Sequence, residues 1–507
     1  MIINGQDIQL SELDSFLRTT PTTVTLGDDA KKAMLASRAT VEAILARGQV
    51  VYGINTGFGK LANTPIDASR LDELQRNLIV SHAVGVGAPL SFPIVRLAML
   101  LRAQALSRGH SGCRVELVER LLYLLSQDCL PMIPCQGSVG ASGDLAPLAH
   151  MACLLIGEGE AYLGGELMDS AQALSRLGVE PVVLKAKEGL ALINGTQISA
   201  AIGLHAYLEA MRLLSTADIA CAITLEALQG SVRPFDERVW QVRPHPGHKE
   251  VSANMRALMV DSEILESHAN CDKVQDQYSL RCVPQVHGAV RDALRHVGEV
   301  LAREVNSVTD NPLIFPLDDD VISAGNFHAE PLAIPFDYAA AAMCELGSIS
   351  ERRLENLVNP DLSGLPAFLA SDSGVNSGFM IAHVTAAALV SENKSLAHPA
   401  SVDSIPTSAN KEDHVSMAPI AARKFGMITE NVANVLAIEL MGAFQAMRFG
   451  NGLKPGRGVA AAMDVIGQDL APLDQDRYLK KDVDIVRAIM DEGKLLAAVK
   501  AAVPELI

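Results

Sequence analysis

The sequence predicts a mainly α-helical protein: a central bundle of long helices, a loop-rich amino-terminal region and a few short strands. Three observations lead there. Hydrophobic residues make up 49% of the 507 residues and aromatics only 4%, a balance that suits close-packed helices better than a β-sandwich. Four stretches, 197–229, 285–305, 329–357 and 417–448, are long and mostly apolar. Gly- and Pro-rich loops break up the first third of the chain.

Taken in order, 30–47 and 94–107 read as amphipathic helices, and RVELVERLLYLLSQ (114–127) repeats apolar residues at three- and four-residue steps. DLAPLAHMACLLIG (144–157) reads as a further helix and YLGGELM (162–168) as a strand-like piece. The stretch 197–229 contains only four charged residues, Glu209, Arg212, Asp218 and Glu226. A helix of that length spans roughly 50 Å, and being so apolar it needs protein on most sides. PLIFP (312–316) and DVISAG (320–325) read as short peripheral strands. The expected division is 1–195 and 196–507 within one continuous fold. The long apolar helices also imply burial against other subunits.

The formal charge of −17 leaves nothing to neutralise phosphates in bulk, so nucleic acid is not an expected partner. Eight cysteines (113, 129, 135, 153, 221, 271, 282 and 344) form no CxxC pair; they read as reduced thiols in a cytoplasmic protein. MIINGQDIQLSELDSF carries acids early and has no apolar core of signal-peptide length. No uninterrupted apolar run reaches the ~18 residues of a membrane span. A soluble protein without a membrane partner is expected.

The stretch GSVGASGDLAPLAH (137–150) raises a chemical question. Its glycines are spaced GxxGxxG, not GxGxxG, so it is no dinucleotide fingerprint. Asp144 follows Gly143 where a P-loop needs Lys and would repel phosphate. A nucleophile elbow needs GxSxG, whereas Ser142 stands in Gly-Ala-Ser-Gly-Asp. Ser142 could simply cap the helix from 144, but a cap does not explain three small residues in a row. Small residues matter if the backbone closes on itself. Attack of the Gly143 amide nitrogen on the Ala141 carbonyl carbon forms a five-membered ring, and loss of two waters yields a methylidene imidazolone, a strong electrophile. Glycine and alanine minimise obstruction at the two reacting positions.

That stretch resembles the signature of the aromatic amino acid ammonia-lyases. VYGINTGFG (51–59), SHAVGVG (81–87), KEGLALINGTQ (187–197), DKVQDQYSLRC (272–282), GNFHAEP (325–331) and PTSANKEDHVSM (406–417) resemble the family's other site segments, in one order over most of the chain. One departure is Gln277, where relatives usually have proline or a small residue. The resemblance implies autocatalytic formation of 4-methylidene-imidazol-5-one (MIO) from Ala141, Ser142 and Gly143, with no metal. It implies that Tyr52 or Glu412 takes the β-proton; for Tyr52 to act as a phenolate near pH 7 needs about 4 kcal/mol of help. Asn194 and Tyr278 are implied as donors that stabilise developing charge. Arg281 is implied to hold the substrate carboxylate by paired hydrogen bonds, with Gln275 on the substrate side. Phe327 is implied to press on the ring-forming turn and to border the substrate; on sequence alone it reads as core.

His82 and Glu412 set the expected substrate. A carboxylate accepts an imidazole N–H and a histidine serves the other ring nitrogen, so L-histidine, deaminated to trans-urocanate and ammonia, is the expected substrate. The alternative is a tyrosine or phenylalanine ammonia-lyase or aminomutase, which resemble this chain in the electrophile but carry Asn-Gln-Asp where Asn410-Lys411-Glu412 stands. A solvated loop is the simpler account of the KEDH run. HPGH (245–248) brings two histidines close but has no HExxH or Cys/His partner set, so it reads as a turn. The resemblance further implies a homotetramer with active sites built from more than one subunit.

Overall fold

The computed structural model describes residues 1–19, 22–59, 63–269, 273–450 and 452–507. Cys271 and Asp272, both in segments singled out above, lie outside the described residues. The protein is mainly helical, and its strands are short. The expected long helices form as Gln197–Ala227, Val283–Glu304, Glu330–Val358 and Ala418–Met447.

The chain groups into two compact units. The first comprises 1–205, 298–337 and 399–423, and the second 206–297, 338–398 and 424–507. Each of the four long helices therefore contributes residues to both units, a grouping that a single boundary near 195 does not express.

Among the described residues, all the strands fall in the first unit. Ile2–Ile3 pairs parallel with Thr25–Leu26, and Val86–Pro89 pairs antiparallel with Pro134–Gln136. Cys129–Pro131, Glu160–Leu163 and Glu166–Asp169 form a three-stranded antiparallel sheet, and Leu313–Phe315 pairs with Asp320–Ile322. The helix Phe92–Ser107 is buried almost throughout. It carries a fully buried guanidinium, Arg102, whose Nη1 donates to Gln197 Oε1 at 2.6 Å and whose Nη2 donates to the Ala191 carbonyl. Hydrogen bonds of this kind hold the loop after residue 193 against the core, since a buried unpaired guanidinium is costly.

In the second unit the four long helices are tied by buried ions. Glu439 accepts Arg353 Nε at 2.5 Å, Arg353 Nη2 at 2.7 Å and Thr224 Oγ1 at 2.9 Å. Asp218 accepts His287 Nδ1 at 2.7 Å and Arg291 Nη2 at 2.6 Å. Burial pushes the Asp218 carboxyl up, but Arg291, His287 and Asn254 outweigh it and hold it down at about 2. Paired in this way, the buried charges satisfy one another across the four helices.

Two helices, Glu330–Val358 and Ala418–Met447, are long and apolar enough to cross a membrane by length and composition. Most of each apolar window is buried in protein, and Arg353 and Glu439 lie wholly buried on them, as in core helices.

HPGH is not a free turn. His245 is the N-cap and Pro246 the first residue of the helix Pro246–Leu258, and His248 is buried. Proline at a first helical position is preorganised, because its missing N–H has no partner there in any case.

Candidate active site

Ala141, Ser142 and Gly143 form a tight turn before the helix Leu145–Leu155. Gly143 takes φ +70°, and its backbone crosses Gly195 so closely that a Cβ would lie 2.2 Å from the Gly195 carbonyl oxygen. Only glycine fits this crossing. The Asp144 N–H donates to that same carbonyl at 2.7 Å. Asp144, not Ser142, is the N-cap, so the capping account of Ser142 does not hold. Asp144 is fully buried and accepts the Ser199 N–H at 2.7 Å and the Ser199 hydroxyl at 2.8 Å. Burial pushes its carboxyl up to about 6, against those hydrogen bonds and one from Ser138.

The second half of the turn's frame comes from 325–331 and 406–417. The Ala329 N–H donates to the Gly140 carbonyl at 3.2 Å, the Met417 N–H to the Val139 carbonyl at 2.8 Å, and the Ser416 hydroxyl to the Gly140 carbonyl at 3.0 Å.

A cavity of about 960 Å³ opens beside Ser142 within the first unit. Tyr52, His82, Ala141, Ser142, Asn194, Phe327 and Glu412 all line it. Asn194 is the C-cap of the short helix Glu188–Ile193, which is pinned by buried charge pairs. Lys187 Nζ meets Asp310 at 2.7 Å, and Glu188 is gripped by Arg114 Nε at 2.9 Å and Nη2 at 2.8 Å. From that fixed position Asn194 Nδ2 donates to the Ser142 carbonyl at 2.8 Å.

Glu412 is half-buried and both its oxygens are engaged, so it is not a solvated loop residue. Oε1 accepts the Ser142 hydroxyl at 2.7 Å and Oε2 accepts the Thr407 hydroxyl at 2.6 Å. Residues 407 and 412 also pair as a β-bridge, across a turn in which Ser408, Ala409 and Asn410 take φ +49°, +53° and +63°. Three successive left-handed residues without a glycine are a strained arrangement. Thr407 carried no signal in the sequence; its role depends on this turn.

His82 ends the helix Leu71–His82, and its Nδ1 lies 3.1 Å from Ser81 Oγ. Burial lowers its pKa, opposed by the Leu78 backbone and the Glu412 charge, which favours the neutral imidazole. For Tyr52 the chain supplies the reverse of the expected help. Burial pushes its phenol up and Glu412 adds to this, against one backbone hydrogen bond at Gly59.

Three expected site residues are not brought to this cavity. Gln275 is exposed, Tyr278 is 71% exposed, and Arg281 stacks its guanidinium over the Tyr278 ring at 4.7 Å. They belong to the second unit, and none lines the cavity. Gln277 takes φ −59°, a value proline itself adopts, so glutamine leaves this backbone shape open to either residue. The structure also joins residues that the sequence left apart. His328, Glu330 and His414 place ligand-type atoms within 4.8 Å of one another. Both nitrogens of His328 are used: Nδ1 accepts the Glu330 N–H at 3.3 Å, and Nε2, 3.2 Å from the His414 carbonyl, latches 325–331 to 406–417.

The residues present suit an imidazolone. Gly143 is held in the left-handed region a closing turn requires, Ala141 is buried, and a side-chain donor already points at the carbonyl that becomes the ring ketone.

A family model for aromatic amino acid lyases matches residues 8–468. Histidine ammonia-lyase of Myxococcus xanthus is 52% identical over 502 residues, covering 99% of each chain. That of Deinococcus radiodurans is 53% identical over 502 residues, covering 99% of this chain and 95% of the relative. Histidine ammonia-lyase from Trypanosoma cruzi superposes with a TM-score of 0.92 at 42% identity, covering 99% of this chain and 96% of that one. Tyrosine aminomutase from Streptomyces globisporus gives 0.93 at 35% identity, covering 99% and 98%. Fold, cavity and these matches define a lyase. The chain belongs to the aromatic amino acid lyase family.

Proposed function

We propose that the chain deaminates L-histidine non-oxidatively to trans-urocanate and ammonia, the entry step of histidine breakdown. The observation that carries this is the pairing of His82 and the Glu412 carboxylate on one cavity wall with Ser142. A carboxylate facing a phenyl ring stays unpaired at a cost of about 1–3 kcal/mol, whereas an imidazole N–H satisfies it. A neutral His82 serves the other ring nitrogen. The names of the relatives at 52% and 53% identity support the same substrate, while the fold, shared with a tyrosine aminomutase, does not discriminate.

Ala141, Ser142 and Gly143 are the source of the MIO group, which supplies a carbon electrophile that takes up the substrate's amine and makes ammonia a leaving group. Asn194 Nδ2 donates to the Ser142 carbonyl oxygen, stabilising negative charge there. Tyr52 receives the β-proton as the C–N bond breaks and the Cα–Cβ double bond forms. Its phenol is protonated at rest; the positive charge on the bound substrate's nitrogen favours the phenolate, the phenol's proton passing to solvent before the β-proton is taken up. Arg281, Tyr278 and Gln275 act from a neighbouring subunit of a homotetramer. This accounts for their absence from the cavity of their own chain. The cytoplasm is the matching compartment, with the seven described cysteines all unpaired.

The test is incubation with L-histidine, L-tyrosine and L-phenylalanine at equal concentration, followed by ultraviolet absorption. Urocanate dominates on this reading. Coumarate or cinnamate formed faster than urocanate refutes it.

A further inference from the structure

We propose that Glu412 acts before any substrate arrives, as the acid that releases the Ser142 hydroxyl during maturation of the turn. The proposal rests on the reading that 141–143 closes into the imidazolone. It starts from one contact of the unreacted chain: Ser142 Oγ lies 2.7 Å from Glu412 Oε1. A hydrogen bond between a hydroxyl and a carboxyl group serves either direction of proton transfer, because the hydrogen's position is set by protonation state.

The chemistry balances as follows. The Gly143 nitrogen bonds to the Ala141 carbonyl carbon, and that oxygen departs as water with the Gly143 and Ser142 amide hydrogens. The Ser142 Cα proton then passes to water in the cavity, the Cα–Cβ double bond forms and the Cβ–Oγ bond breaks. Oγ departs as a second water, carrying its own hydrogen and a proton that the Glu412 carboxylate first takes up from solvent and then delivers along the Ser142 hydrogen bond. Nothing is oxidised or reduced. Hydroxide is a poor leaving group near neutral pH, and a positioned acid typically accelerates such a departure by about 10²–10⁴-fold.

No other carboxyl group is placed for this among the described residues lining the turn. Asp144, next in sequence, directs its oxygens to Ser199 and Ser138. Thr407 makes Glu412 a directed group: its hydroxyl fixes Oε2 at 2.6 Å, and the bridge between 407 and 412 fixes the backbone. Oε1 is thereby turned to Ser142. Once that hydroxyl has left as water, Oε1 loses its partner and is free for the substrate's imidazole N–H. One oxygen serves both stages.

Intact mass of freshly expressed protein, with the peptide containing 141–143 sequenced by fragmentation, tests this. Wild type is expected two water masses below its sequence mass. Glu412→Ala, and the isosteric Glu412→Gln, are expected to accumulate with one water lost, the fully dehydrated fraction falling at least 10-fold at matched times. Thr407→Val gives a smaller delay that Thr407→Ser removes. Two-water loss in both Glu412 variants at the wild-type rate overturns the proposal. So does a variant at full sequence mass with wild-type melting, which moves Glu412 to the cyclisation step. Wild type at full sequence mass instead sinks the imidazolone reading itself, leaving the two failures distinguishable.

Discussion

Replacing Gly143 with alanine isolates the crossing on which the turn depends. The added Cβ falls 2.2 Å from the Gly195 carbonyl oxygen and 2.5 Å from its carbonyl carbon and amide nitrogen. Carbon and oxygen approach no nearer than roughly 3.2 Å without repulsion, so the two backbones must separate by about 1 Å. The φ of +70° adds about 1–2 kcal/mol for a residue with a Cβ. The bond from Asn194 Nδ2 to the Ser142 carbonyl, 2.8 Å long, joins the residues next to this crossing, and a shift of about 1 Å along it would carry it beyond hydrogen-bonding range. A misplacement of that size costs about 10²-fold in rate where geometry is critical. The expected outcome is at least a 100-fold loss of histidine turnover, with melting lowered by only a few degrees because the remaining core is untouched. Urocanate formation by absorption and melting by circular dichroism provide the assay. Wild-type turnover in Gly143→Ala would show that the close crossing does not govern the chemistry.

Asn194→Ala removes one donor from the Ser142 carbonyl and is expected to lower kcat by about 10²–10³-fold, read from steady-state kinetics. Glu439→Gln leaves Arg353 buried without its charge partner, with an expected loss of about 3–5 kcal/mol measured by denaturant unfolding. Asp144 sets a pH dependence: its carboxyl is raised from about 4 in the unfolded chain to about 6. Its contribution to stability is therefore present below pH ~4 and lost as pH rises through ~6, by up to about 3 kcal/mol. Unfolding midpoints across this window should flatten in Asp144→Asn. Mixed subunits test the shared site. Ser142→Ala with Tyr52→Phe should restore nothing, because both residues line the cavity of one chain, whereas Ser142→Ala with Arg281→Ala should recover activity.

The helices were legible because apolar composition over twenty or more residues leaves few alternatives; 197–229 and Gln197–Ala227 differ by two residues at one end. The motifs around 52, 82, 142, 194, 327 and 412 were legible largely by resemblance, Phe327 reading as core by itself, and the structure gathers them at one cavity. What the sequence withheld depends on which segments meet. Gly195 as the surface that compresses Gly143, Thr407 as the clamp on Glu412, and the His328 latch carry no local signature. Ser142 and Asp144 are both acceptable caps by residue type, but the Ser142 hydroxyl goes to Glu412 and the Asp144 carboxylate to Ser199, partners no local pattern announces. Gln275, Tyr278 and Arg281 were legible as a motif, yet their own chain does not bring them to the cavity.

Ser142 and Glu412 are separated by 270 positions. A ribosome adding 5–20 residues per second reaches Glu412 roughly 15–50 s after Ser142. Throughout that interval the frame around the Ala-Ser-Gly segment is incomplete, since 406–417, whose Met417 N–H and Ser416 hydroxyl hold Val139 and Gly140, has yet to be finished. If 141–143 closes only within this frame, as proposed, a group reactive enough to capture an amine or thiol does not appear while the polypeptide is still open to the cell's nucleophiles. On the proposed imidazolone reading, the order of synthesis acts as a safety interlock, letting the electrophile form only after its enclosure has been built.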